Sequence, residues 1–90
     1  MRFEWDPDKA RRNLRKHGIS FEEAATAFAD PLSLTIEDPD HSQEEDRFAT
    51  IAASCFRRLI VVIHTDRRGT IRIISARLAG KSERRAYASL

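Results

Sequence analysis

From residue 47 onward the apolar positions follow a strand rhythm. Residues 47–54 alternate, with Phe48, Thr50 and Ala52 facing opposite to Ala49, Ile51 and Ala53, the period-two pattern of a half-buried strand. Residues 59–63, Leu-Ile-Val-Val-Ile, are apolar on both faces, which predicts a strand central in its sheet. Residues 70–77 alternate again, and the intervening Asp66-Arg67-Arg68-Gly69 suits a hairpin connection. Strands 59–65 and 70–77 are therefore expected to pair antiparallel. Before residue 30 the rhythm is helical. Asp6 as N-cap, Pro7 at the first helical position and Gly18 as a left-handed stop predict a helix ending near His17. Only Ala10, Leu14 and their neighbours give it an apolar stripe, so it reads as a surface helix. Ser20 and Glu23 form a capping box that opens a second helix over residues 21–28, with Phe21, Ala24, Ala25 and Phe28 on one face. Asp30-Pro31 ends it.

Residues 3–5 and 32–37 read as further strands, and residues 38–46 as a polar loop. Ser82 is the candidate N-cap of a last helix over residues 83–89. The order is strand, two helices, four strands, helix. Segregated elements of this kind predict an α+β fold, a small antiparallel sheet with helices packed on it. Without a linker or repeat, residues 1–90 read as a single domain.

Charge sharpens the picture. The net charge of +2 conceals three blocks. Residues 1–18 sum to +3, residues 19–46 hold nine acids and no lysine or arginine, and residues 47–90 sum to +8. A basic end beside an acidic middle suits a polyanion, a charge-complementary protein, or both. Thirteen of the sixteen cations are arginine, whose planar fork matches phosphate better than a lysine point charge does. The composition of a GC-rich genome accounts for arginine richness equally well. No apolar run is long enough to cross a membrane, the first residues lack the apolar core of an export signal, and Cys55 has no second cysteine to pair with. These features fit a reducing cytoplasm.

Several chemistries find no support. His17, His41 and His64 share no ligand spacing, and the acidic run from Asp38 to Asp46 lacks the EF-hand glycine and closing glutamate, so neither a metal nor a cofactor is expected. Gly80-Lys81-Ser82 looks like the end of a phosphate loop, but the required earlier glycine is Ser75. No nucleophile elbow is present. What remains is a basic surface that needs no metal, and RNA cleavage by the substrate's own 2′-hydroxyl suits it. That reaction needs a base, cations for the developing phosphorane charge and an acid for the leaving oxygen, and it spares DNA. In strand 70–77 strict alternation sends Arg72 and Arg77 to opposite faces, unless a bulge near Ser75 or a bend at Arg77 intervenes. Glu83, Arg84 and Tyr87 can be neighbours on the last helix. His64 sides with Ile60 and Val62. Each candidate has a plainer reading: a strand-end histidine without a role, an ion-paired Arg72, a Tyr87 that packs in the core.

Taken in order, Phe3-Glu-Trp-Asp-Pro7, Asn13-Leu-Arg-Lys-His-Gly-Ile-Ser-Phe-Glu-Glu-Ala24, Asp30-Pro-Leu32, Glu45-Asp-Arg47 and Arg72-Ile-Ile-Ser-Ala-Arg77 with Glu83-Arg-Arg-Ala-Tyr87 resemble the BrnT family, toxins of bacterial type II toxin–antitoxin pairs. The resemblance implies a RelE-like fold, a metal-independent ribonuclease that blocks translation, and a ribbon-helix-helix antitoxin as partner. It points to Arg72 and Arg77 as phosphate-stabilising cations, and to Tyr87 and Glu83 for stacking or acid/base work; His64, from its place near a strand end, is a further candidate for handling protons or stacking a base. Lys16, Arg57, Arg58, Arg84 and Arg85 are the candidate RNA contacts. The alternative from another class is a non-catalytic module whose basic face binds nucleic acid or a protein.

Overall fold

The structure, a computed structural model, describes residues 1–38 and 46–89. Most of the acidic loop predicted for residues 38–46 lies outside the described residues. The elements in chain order are β1 (Arg2–Glu4), α1 (Pro7–His17), α2 (Phe21–Thr26) with a 3-10 turn at Ala27–Ala29, β2 (Leu34–Glu37), β3 (Arg47–Ala53), β4 (Leu59–Arg67), β5 (Thr70–Leu78) and α3 (Lys81–Ala88). The predicted α+β order holds. The five strands form one sheet in the order β1-β5-β4-β3-β2. Strands β2 to β5 make the predicted antiparallel meander, and the doubly apolar β4 is the middle strand of the five.

The sheet is nonetheless mixed rather than wholly antiparallel. β1 runs parallel to β5, with Phe3 opposite Ile71. The chain must cross from one edge of the meander back to the other, and α1 and α2 are that crossover. The hairpin between β4 and β5 closes on Arg68 and Gly69, both at positive φ (53° and 85°). That is the two-residue turn whose twist matches the flanking strands.

The main core lies between the sheet and α1 and α2. Ile19, Phe21, Ala24 and Ala27 meet Ala52, Ile60, Val62, Ile71, Ile73 and Ala76 there. A smaller apolar cluster on the second face joins Ala49, Ile51, Val61 and Ala79, and Tyr87 of α3 covers part of it.

Three local expectations need correction. Leu14 is 51% exposed, and the residue α1 buries is Asn13. Ser20 caps α2 by accepting from the Glu23 N–H, but Glu23 does not reach back; its carboxylate is drawn to Ser54 and Arg58. Gly80, not Ser82, is the N-cap of α3, and the Glu83 carboxylate accepts from its N–H at 2.7 Å.

Candidate functional site

The arginines of β5 turn on one irregularity. Ser75 pairs with Ile63 and Ile73 with His64 on β4, so Ile74 is an extra residue, a β-bulge beside Ser75. Before it, Ile71 and Ile73 face the main core; after it, Ala76 does. The inserted residue resets the alternation. Arg72, opposite Thr65, and Arg77, opposite Val61, therefore stand on the same face. Their partners on β4 are four residues apart, so the two positions are separated by about 13 Å along the strand. A spacing of that size suits two phosphates of one strand better than a single one.

Arg77 is held firmly. Its Nη1 and Nη2 donate to the two Glu83 carboxylate oxygens at 2.9 and 2.8 Å, and Nη1 also donates to the Leu78 carbonyl at 3.3 Å. Of the five N–H donors of a guanidinium, the Nε–H and one Nη2–H have no partner among the described residues. Those two form a second fork, the geometry that takes a phosphate side-on. The pair holds the Glu83 carboxyl down at about 2, chiefly through the Arg77 hydrogen bonds and against the effect of burial. Glu83 is thus ionised at neutral pH but weakly basic. Arg77 and Glu83 line a shallow groove of about 150 Å³ whose floor is Ala49, Ile51, Val61 and Ile63, with Ile36 to Asp38 along its far side.

Arg72 is held more loosely. Its Nη1 lies 3.5 Å from Glu4 Oε2, and both side chains are at least a third exposed. A surface pair of this kind contributes at most about 1 kcal/mol, so an arriving phosphate can exchange with Glu4 at small cost.

The other sequence candidates separate. His64 is buried on the helical face, edge-on to Phe28 at 4.9 Å, with Nε2 at 2.8 Å from the Thr50 hydroxyl. Burial pushes its pKa down to about 4, so the ring is neutral at pH 7 and lies across the sheet from Arg77. Tyr87 donates its hydroxyl to Asp30 Oδ2 at 2.6 Å, and Asp30 also accepts from the Leu32 and Ala53 N–H groups. That bond pins α3 to the turn before β2 and raises the Tyr87 pKa. Arg58 clamps the buried Glu23 through Nε at 2.9 Å and through Nη2, which also donates to the Gly18 carbonyl. Arg57 sits at φ 60° in the exposed turn between β3 and β4. Arg84 and Arg85 are exposed on α3 and Lys16 on α1, so the proposed RNA contacts do not form one patch. Reasoning from sequence missed Lys9 and Arg12, which share a cavity with Lys16. Their helical spacing was the available signal. Among the described residues, no three His, Cys, Asp or Glu side chains converge as metal ligands.

Two arginines thus stand on one face of a small sheet, and Arg77 keeps a donor fork without a partner among the described residues, the donor geometry that suits phosphate oxygens. Comparison with known families makes this specific. The family model for BrnT, described as the ribonuclease toxin of a type II toxin–antitoxin system, matches residues 5–83, and the chain belongs to that family. Membership implies RNA as substrate and an antitoxin as partner. Among solved structures, the crystal structure of the Brucella abortus ribonuclease toxin BrnT is similar in fold: TM-score 0.70 at 23% identity, covering 90% of this chain and 99% of that one. No curated protein matches the chain significantly. No helix among the described residues is long and apolar enough to cross a membrane.

Proposed function

We propose that the chain is a metal-independent endoribonuclease that cuts RNA by attack of the 2′-hydroxyl on the adjacent phosphate. The bond from the 2′-oxygen to phosphorus forms as the bond to the 5′-oxygen of the next nucleotide breaks, and solvent water takes up the 2′ proton and protonates the leaving oxygen. In this reading the open fork of Arg77 binds the scissile phosphate and meets the extra negative charge of the phosphorane. Glu83 orients that guanidinium from behind, and its low basicity fits a positioning role better than proton transfer. Arg72 holds a neighbouring phosphate of the same strand. His64 and Tyr87, each already bonded within the fold, act through stability. The observation that carries the reading is the unused Nε/Nη2 fork of Arg77, pre-oriented by two parallel bonds to Glu83. Preorganised donors aimed at developing charge are a large source of catalysis.

The reading extends to the cytoplasmic role implied by the family resemblance: cutting RNA blocks translation, and a ribbon-helix-helix antitoxin neutralises the chain. The test is incubation of purified protein with single-stranded RNA in EDTA. Products ending in a 2′,3′-cyclic phosphate, with DNA of the same sequence left whole, are the expected result. A strict requirement for an added divalent ion, or cutting of the DNA, would overturn it.

A further inference from the structure

We infer that the cleft between α1 and the bulge of β5 is a second phosphate subsite, which holds the RNA backbone away from the Arg72–Arg77 face. The inference rests on the RNA-cleaving reading above and adds to it where the substrate strand runs. The cleft, about 380 Å³, is lined by Lys9, Arg12, Lys16 and His17 from α1, with Asn13, Ile74 and Ser75 at its base. Among the described residues, no carboxylate lines it.

Three features argue for a phosphate backbone. First, the cations at positions 9, 12 and 16 follow helical spacing along one side of α1. They span about 10 Å, a row suited to an extended polyanion. Second, these groups are not used by the fold. Arg11, Arg58, Arg72 and Arg77 each meet a carboxylate. Lys9, Arg12, Lys16 and His17 have no side-chain partner among the described residues, and neither does the Ser75 hydroxyl. Arginine, lysine and serine donors together are the usual contacts to phosphate oxygens. Third, the floor is rigid. Asn13 is tied to Ala76 and Ile19 by its side-chain amide, which fixes α1 against β5 beside the bulge. The inserted residue that brings Arg77 to the face of Arg72 also shapes this cleft. A strand passing the β5 edge would meet both sets of cations.

The test uses a fluorescent single-stranded RNA made uncleavable by 2′-O-methyl groups, titrated by anisotropy in EDTA at several salt concentrations. The triple variant Lys9→Ala, Arg12→Ala, Lys16→Ala is expected to bind at least about tenfold more weakly. Its log K against log salt slope should be shallower by about 2, from three lost contacts at about 0.7 each. All three positions are exposed, and an unchanged thermal midpoint checks that the variant folds. Arg11→Ala, on the other flank of α1 and paired with Asp8, should keep the wild-type slope. Unchanged affinity and slope in the triple variant overturn the subsite, as does a wild type that fails to bind. So does poly-glutamate of matched charge displacing the RNA equally well through the same three residues, which marks the cleft as a seat for acidic protein. Cleavage of ordinary RNA is read separately. Binding without cutting sinks the ribonuclease reading and leaves the cleft standing; cutting with the triple variant binding normally does the reverse.

Discussion

Asn13 and Ala76, 63 positions apart, bond to each other as neighbouring strands would: the Asn13 amide donates to the Ala76 carbonyl at 2.9 Å, and the Ala76 N–H donates to Asn13 Oδ1 at 3.0 Å. β1 covers β5 only from Thr70 to Arg72, so β5 has a bare edge beyond that point. A helical side chain supplies the missing ladder bonds there and also donates to the Ile19 carbonyl. Bare strand edges are a liability, and Asn13 covers this one at Ala76.

Asn13→Ala is therefore expected to destabilise by about 2–4 kcal/mol, because it strands two carbonyls and an N–H in a buried site. In a domain of this size that lowers the thermal midpoint by about 10–25 °C. Calorimetry is the check; a fall of a degree or two would show that water replaces the amide.

Arg77→Ala should lower kcat for RNA cleavage by about 10²–10³, the usual loss when one preorganised donor to developing charge is removed. Arg77→Lys should recover little, since an ammonium cannot hold Glu83 in parallel and present a second fork. Arg72→Ala should act mainly on KM. Full activity in Arg77→Ala would move the chemistry elsewhere.

The carboxyl of Glu83 titrates at about 2 against 4.5 for a free glutamate. A depressed folded pKa gives stability that is complete above pH 4.5 and lost as the pH falls toward 2. Glu23, held low by Arg58, adds in the same direction. Urea midpoints measured from pH 6 to pH 2 should fall steeply for the wild type and less steeply for Glu83→Gln. Parallel curves would contradict the Arg77 pairing.

His64 has its own window. Its pKa falls from 6.5 to about 4 on folding, so the unfolded chain takes up the proton first and stability is lost between pH 6.5 and 4. The ring resonances should titrate near 4 in NMR spectra. His64→Leu should flatten the stability curve in this window, and Thr35 still partners the Thr50 hydroxyl.

Tyr87→Phe separates anchoring from catalysis. Loss of the bond to Asp30 should lower the thermal midpoint, since a hydrogen bond to a charged group is among the stronger kinds, with kcat within a few-fold of wild type. A hundredfold loss of kcat with stability intact would make Tyr87 catalytic.

Much of this fold can be read from local pattern. The alternation in β3, the two-sided apolar run of β4, the Arg68-Gly69 turn and the Gly18 stop at φ 71° each depend on residues within one element. The bulge was half legible: strict alternation put the two arginines on opposite faces, and the apolar spacing of Ile71, Ile73 and Ala76 breaks step by one residue, which is the trace an insertion leaves.

Other features were decided only in three dimensions. Ser20 and Glu23 have the spacing of a capping box, yet Glu23 answers to Ser54 and Arg58, more than thirty positions away. Asn13 looks like one polar residue among many on α1, and Leu14 looks like core. β1 shows nothing in its three residues that favours parallel pairing. The sequence alone determined the elements, their order and the segregation of charge along the chain, because period, turns and charge blocks are properties of short segments. The tertiary structure decided which polar groups were spent on holding the fold and which stayed free. That choice depends on which carboxylates and carbonyls are brought within about 3 Å of each donor, and no local pattern records it.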